Sequence, residues 1–229
     1  EEIEYHVIRI AGRRTTWKKR YVDADTGRQR FVPQFVCRDP VPEEYTTSLI
    51  GSMKGTKATV ILVSDYKRGL ITEFMARELS EFVLTRGMFL IVDGRERPLE
   101  WYEKNLRGIS LITPNRREAG VMVGRELRTM GQVEAAGREI RDRLRCSVLL
   151  KLSGQGARLY MVNHYEDERE RRGKMVGEGE EYVYEAYTKD EDVVCVSGAG
   201  DTLAATVALA VGAGIELPIA CELGSHAAA

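Results

Sequence analysis

Apolar positions in this chain follow two regimes. Over the first forty residues they alternate with polar ones. Glu4 to Ile10, Thr16 to Val22 and Arg30 to Cys37 each read as short strands, and Asp25-Thr26-Gly27 reads as the turn joining the last two. From Ala58 the alternation stops. Ala58 to Val63 is a nearly continuous apolar run, the pattern of a strand covered on both faces in a parallel sheet. Ile71, Phe74, Met75, Leu79, Phe82 and Val83 then recur at helical spacing, and Met88 to Val92 forms a second apolar strand, completing a βαβ unit. The alternation continues through a strand at Ser110 to Thr113, helices near Arg116 to Val123 and Gln132 to Leu144, and a strand at Ser147 to Leu150. Ala157 to Val162 returns after a turn. Asn163 to Glu181 is heavily charged and glycine-bearing, which predicts a solvated loop. A strand at Val193 to Val196, a helix over Leu203 to Val211 and a helical pattern from Cys221 to Ala229 close the chain. The expected fold class is α/β: a mostly parallel sheet flanked by helices over 56–229, preceded by a β-rich layer over 1–40.

Composition narrows the partners. At 229 residues, 43% hydrophobic and 30% charged, the chain is sized for one globular domain. A net charge of -1 and the lack of a basic arm argue against nucleic acid. No run approaches the roughly 20 apolar residues of a membrane span, and the start lacks signal-peptide order, so no membrane partner is expected. Cys37, Cys146, Cys195 and Cys221 show no C-x-x-C spacing and read as reduced structural thiols, which suits the cytoplasm. His6, His164 and His226 are too dispersed for a zinc site. The chain begins at Glu1 and ends inside a helical pattern, so both ends read as cut.

Candidate chemistry centres on Ser197-Gly198-Ala199-Gly200-Asp201-Thr202, between the last strand and an apolar helix. Small residues there let backbone N–H groups converge at a helix N-terminus, where the dipole favours an anion such as a phosphoryl group in transfer. A carboxylate in such a turn is electrostatically awkward unless it takes up a proton during reaction. Asp201 is therefore a candidate general base, with Gly198, Ala199 and Gly200 as a candidate anion hole. The same pattern also describes a tight packing turn in which Asp caps a helix.

Other segments carry paired readings of the same kind. Asn115-Arg116-Arg117-Glu118 opens a helix after a strand and puts an amide and a carboxylate at i and i+3; these either face phosphates or form a capping box. Lys151-Leu152-Ser153-Gly154-Gln155-Gly156 allows close backbone approach to a nucleotide, or simply turns a hairpin. Asp65 and Lys67 lie just past the carboxyl end of a strand, the edge where open α/β sheets place ligands, or form a surface turn. Lys18, Arg20 and Arg38 suit a sugar phosphate or ordinary strand surface charge.

The run Val194 to Ala204, VCVSGAGDTLA, resembles the C-terminal signature of the ribokinase-like carbohydrate kinases, the PfkB family. Within that family, Ser64-Asp65-Tyr66-Lys67-Arg68-Gly69, Ile91-Val92-Asp93, Leu111 to Glu118, Thr15 to Arg20, Cys37-Arg38-Asp39 and Gly224 to Ala229 are similar to the heptose 7-phosphate kinase branch, which serves ADP-heptose and lipopolysaccharide synthesis. Differences from the branch are Gly94 and Arg95 where proline and lysine are usual, Arg68 for lysine, Cys195 for aspartate and His226 for asparagine near the adenine. The resemblance implies a ribokinase-like fold with a β-strand lid, one kinase domain over 1–229, and no counterpart to the family's N-terminal region before Glu1. It implies Asp201 as base and the Gly198 to Gly200 backbone as anion hole. Asn115, Arg116, Arg117, Glu118, Lys151, Ser153, Gly154, Gly156 and His226 would lie around ATP, with Glu118 holding Mg²⁺ through water. Asp65, Lys67, Lys18, Arg20 and Arg38 would lie around a sugar phosphate.

The resulting expectation is an ATP- and Mg²⁺-dependent sugar kinase, acting on heptose 7-phosphate and forming a homodimer through its exposed lid strands. The alternatives are another sugar or nucleoside kinase of the family, and a non-catalytic nucleotide-binding protein.

Overall fold

A computed structural model describes residues 7–25, 29–94, 96–162, 180–184 and 198–228. Its centre is a six-stranded sheet. Strands β5 (Val60–Asp65), β6 (Phe89–Gly94), β7 (Ile109–Ile112) and β8 (Ser147–Lys151) are parallel neighbours in that order. Strands β9 (Ala157–Tyr160) and β10 (Glu181–Tyr184) add antiparallel beyond β8. A mostly parallel sheet was expected; the antiparallel end arises because β8 turns back at once through a tight 3-10 turn at Ser153–Gln155.

The two-residue period of the strands divides the core. Leu90, Val92, Ile112, Val148 and Leu150 face one layer, formed by α1 (Glu43–Met53), α2 (Glu73–Arg86), α3 (Leu99–Asn105), α4 (Arg116–Met122) and α5 (Met130–Leu144). Ile91, Leu111, Leu149 and Leu159 face the other, formed by α6 (Ala199–Gly212) and α7 (Leu217–Ala227). The consecutive apolar residues Leu90 to Val92, Leu111 to Ile112 and Val148 to Leu150 are thus each buried, on alternate sides. Strand β5 differs from the expectation: Val60, Ile61 and Leu62 are only partly buried, because β5 is the edge of the sheet among the described residues.

Thr72 caps α2, accepting from Met75 N, and Gly87 ends it in the left-handed conformation. Thr129 and Gln132 form a capping box on α5. Helices α1 and α3 were not legible in the sequence. The first is rich in Thr, Ser and Gly with a weak apolar stripe, and the second is only 7 residues long.

Residues 7–10 form no strand, unlike the expectation for Glu4 to Ile10, whose first part lies outside the described residues. The other lid strands are short antiparallel pairs: β1 (Trp17–Lys18) with β4 (Gln34–Phe35), and β2 (Tyr21–Val22) with β3 (Gln29–Phe31). The lid is anchored beside β5. Arg13 Nη1 donates to Asp39 O at 2.6 Å and its Nη2 to Arg68 O, while Val41 N donates to Gly69 O at 2.8 Å. A Cβ at Gly69 would lie 1.9 Å from Asp39 O, so only glycine lets the lid stem pass this close. The expected strand at Val193 to Val196 and most of the charged loop after Asn163 lie outside the described residues.

Candidate active site

The carboxyl ends of the parallel strands converge on one edge of the sheet, the position that open α/β sheets use for ligands. Strand β5 delivers Asp65 and, one residue on, Tyr66; β6 delivers Asp93; Thr113 follows β7; Lys151 ends β8. The N-terminus of α6 lies over this edge. Gly198 is its N-cap at φ 97°, a left-handed conformation that favours glycine, and Ala199, Gly200 and Asp201 form its first turn.

Lys151 joins strand end and helix start. Its Nζ lies 2.6 Å from Asp93 Oδ1, which also accepts from Thr113 Oγ1 at 2.7 Å. A Cβ on Gly200 would stand 3.3 Å from that same Nζ, so the ammonium group sits against the first turn of α6. Converging N–H groups and a fixed cation therefore share one place, and both attract phosphate oxygens.

Asp201 is exposed at this site, and Tyr66 Oη donates to both of its carboxylate oxygens, at 2.5 and 2.6 Å. Asp65 itself is buried and committed. Its Oδ1 accepts from Lys67 N at 2.8 Å, and its Oδ2 accepts from Arg97 Nε and Nη2 at 3.0 and 2.8 Å. Lys67 takes φ 53° and donates its Nζ to Glu96 O at 2.9 Å. The Tyr102 hydroxyl lies beneath: burial, reinforced by the charges of Asp65, Glu118 and Asp93 against the opposing Arg97, raises its pKa well above the usual phenol range. Tyr102 stays neutral.

Asn115 and Glu118 form a reciprocal capping box on α4. Asn115 Oδ1 accepts from Glu118 N at 2.9 Å and Glu118 Oε2 accepts from Asn115 N at 2.8 Å. Asn115 also bridges to Lys151 backbone to backbone, which holds this helix start beside the Lys151 loop. Arg116 donates its Nε to Leu127 O at 2.7 Å and its Nη2 to Arg128 O, and Arg117 pairs with Glu96 at 2.8 Å. A cleft of about 610 Å³ runs along α4, lined by Arg116, Arg117, Gly120, Val121 and the following loop. Ser153 and Gly154 sit in the 3-10 turn, closed by Leu152 N donating to Gly156 O at 2.8 Å.

Lys18 and Arg20 are exposed on the lid, Arg38 is exposed on its stem, and His226 is exposed in the last turn of α7. Among the described residues no group of three or more His, Cys, Asp and Glu side chains could hold a metal ion. Cys37, Cys146 and Cys221 are buried free thiols, and burial pushes Cys146 and Cys221 up to about 12. Cys195 lies outside the described residues. No helix among the described residues is long and apolar enough to cross a membrane.

Four residues of this edge were absent from the candidates read from sequence: Asp93, Thr113, Tyr66 and Arg97. Asp93 carries the same signal as Asp65, an acid at the end of an apolar strand. Tyr66 stands inside a segment already singled out, but nothing local shows that its hydroxyl meets Asp201. Arg97 has no sequence signal.

Comparison with known proteins agrees with this architecture. The family model described as pfkB family carbohydrate kinase matches residues 4–229. Curated relatives include the bifunctional protein HldE of Paramagnetospirillum magneticum, 29% identical over 99% of this chain and 42% of its own length. The bifunctional protein HldE of Acidiphilium cryptum is 31% identical over 98% of this chain and 42% of its length. The chain thus spans less than half of these relatives. Among solved structures, phosphofructokinase-2 from Escherichia coli in complex with substrates and products superposes with a TM-score of 0.70 at 19% identity, covering 92% of this chain and 62% of that one. Arabidopsis thaliana ribokinase complexed with ribose and ATP gives a TM-score of 0.60 at 18% identity, covering 86% and 58%. These structures share the ribokinase-like fold.

Proposed function

We propose that this chain, which belongs to the pfkB family of carbohydrate kinases, transfers the γ-phosphoryl group of ATP to the anomeric hydroxyl of heptose 7-phosphate, giving the 1,7-bisphosphate. The observation that carries the reading is the position of Asp201 in the first turn of α6, beside the glycine turn and the Lys151 ammonium. The heptose assignment rests on the resemblance of Ser64 to Gly69 and Leu111 to Glu118 to that kinase branch, and on the HldE relatives.

Asp201 takes the proton of the acceptor hydroxyl as its oxygen bonds to the γ-phosphorus. The backbone N–H groups of the Gly198 to Gly200 turn and the helix dipole hold the charge that gathers on the transferring oxygens. Lys151, steered by Asp93, adds a positive charge on the same side. Asn115 and Glu118 lie next to Lys151 and bound the phosphate side of the nucleotide, with Arg116, Arg117, Ser153, Gly154 and Gly156 around it and His226 toward the adenine. Mg²⁺ would neutralise phosphate charge; among the described residues no three carboxylates cluster, which fits an ion held mainly by water and phosphate, with Glu118 reaching it through water. Asp65 fixes the turn that carries Lys67 and Tyr66, and Lys67, Lys18, Arg20 and Arg38 recognise the sugar phosphate.

The lid exposes Trp17, Tyr21 and Phe31, and a second copy covering them makes the protein a homodimer. ATP as donor and buried free thiols suit the cytoplasm.

ADP release by the full-length protein with Mg²⁺-ATP and a panel of sugar phosphates tests the proposal. Turnover with heptose 7-phosphate, reduced roughly 10² to 10⁴-fold in Asp201→Asn, is expected. Turnover with a different sugar or nucleoside would replace the substrate and keep the mechanism. ATP binding without any acceptor-dependent release would overturn the kinase reading.

A further inference from the structure

The base proposed above is already engaged. Tyr66 Oη sits 2.5 Å from Oδ1 and 2.6 Å from Oδ2 of Asp201, across 135 residues of sequence. These contacts lie at the short limit of the separation a general base needs from the hydroxyl it deprotonates, about 2.6–3.2 Å, so the phenol stands where an acceptor hydroxyl would stand.

The ring is held there by a built support. Asp65 grips the backbone of Lys67 with one oxygen and Arg97 with the other; Arg97 Nη2 also donates to Ile71 O at 2.7 Å and its guanidinium stacks 4.0 Å above the Trp101 ring. Lys67 itself is locked in the left-handed conformation with its ammonium on Glu96 O. The turn carrying Tyr66 is therefore fixed on both sides, while Tyr66 remains 38% exposed at the site mouth. A fixed turn with an accessible ring allows the hydroxyl to leave Asp201 by side-chain rotation alone.

We propose that Tyr66 is a positioning residue that guards the base: its hydroxyl occupies Asp201 until the sugar acceptor displaces it, and this suppresses phosphoryl transfer to water. The inference rests on the reading of Asp201 as the kinase base. In the suppressed reaction a water oxygen would bond to the γ-phosphorus. The bond from that phosphorus to the β–γ bridging oxygen would break, ADP would leave with the electron pair, and the water proton would pass to Asp201. The single Tyr66 O–H is tethered beside Asp201 by its own chain, whereas a water that replaces it must be immobilised there from solvent. A sugar phosphate brings further hydroxyls and a phosphate anion whose contacts offset the displacement, so only the acceptor opens the base.

The test is Tyr66→Phe and Tyr66→Leu in the full-length protein, measured with Mg²⁺-ATP, without acceptor and then with the acceptor that stimulates the unaltered protein. Acceptor-independent ADP release is expected to rise on the order of tenfold in both variants, and to vanish again when Asp201→Asn is added. The KM for acceptor should fall in Tyr66→Phe with kcat within about threefold, a split that loss of structure would not give. Unchanged acceptor-independent release in folded variants that still bind ATP, or a lower kcat with no such rise, would overturn the guard and leave the kinase reading intact. If no acceptor stimulates the unaltered protein, both fall together.

Discussion

Lys151 and Asp93 form an ion pair at 2.6 Å although their strands, β8 and β6, are separated in the sheet by β7. Thr113, just past β7, fills the gap by donating to the same carboxylate oxygen. Three successive strand ends thus contribute to one polar knot, whose cation is set against Gly200. Both partners are mostly buried, with side-chain exposures of 16% and 15%, so the pair is weakly screened and neither charge is readily left alone.

Replacing Lys151 by Met separates the two roles of this knot. Removal of the ammonium leaves Asp93 with a neutral partner and should cost about 1–3 kcal/mol of stability. It should also weaken ATP binding roughly tenfold if the ammonium meets phosphate. Chemical denaturation and nucleotide titration read the two effects separately, and loss of stability with unchanged ATP affinity would confine Lys151 to a structural role.

The two glycines of the α6 turn should respond differently. Gly198 has φ 97° with nothing within 4 Å of an added Cβ, so Gly198→Ala is disfavoured by backbone conformation alone, by about 1–2 kcal/mol. Gly200 has no positive φ, and its Cβ would meet only the terminal Nζ of Lys151 at 3.3 Å, which must give by a few tenths of an ångström while staying on Asp93. Gly200→Ala should therefore keep stability within about 0.5 kcal/mol, with the ammonium still on Asp93, while the small shift it forces at the α6 turn weakens ATP binding. Thermal melts alongside ATP titration give the contrast directly.

At α4 the capping box and the proposed Mg²⁺ role can be pulled apart. Gln at the third helical position serves a capping box as Glu does, so Glu118→Gln should hold stability within about 0.5 kcal/mol. Without the carboxylate, the Mg²⁺ concentration that half-saturates turnover should rise. Asn115→Ala, in contrast, removes the cap itself and should destabilise by about 1 kcal/mol. An unchanged Mg²⁺ requirement in Glu118→Gln would return this motif to helix capping alone.

Gly137, in the middle of α5, carries a stability prediction with an unusual sign. Gly→Ala inside a helix normally stabilises by about 1 kcal/mol. Here the new Cβ would lie 2.3 Å from Cε2 of the buried Tyr160 ring on β9, against which the helix packs. Overpacking of this kind costs about 1–3 kcal/mol, so Gly137→Ala should lower the denaturation midpoint.

Much of this molecule was legible along the chain. The apolar runs of β6 and β7 and the helical spacing of α2 and α5 identified the α/β layers, because each pattern can bury its apolar side chains in only one way. The glycine turn before α6 and the capping pair at α4 were legible too, since their geometry is set within four residues. Helix α1 and the antiparallel strand β10 escaped, one for its weak stripe and the other because it follows a long charged stretch. The sequence by itself determined the α/β class, the order of the central strands to within about two residues at their ends, and the choice of Asp201 as the proposed base. Only the tertiary structure decided what each polar group there would touch: Tyr66 on Asp201, Lys151 on Asp93 and Arg97 on Asp65, across 135, 58 and 32 residues. Such pairs have no periodicity to announce them. They exist because a buried or crowded charge must find a partner wherever the packed layers bring one.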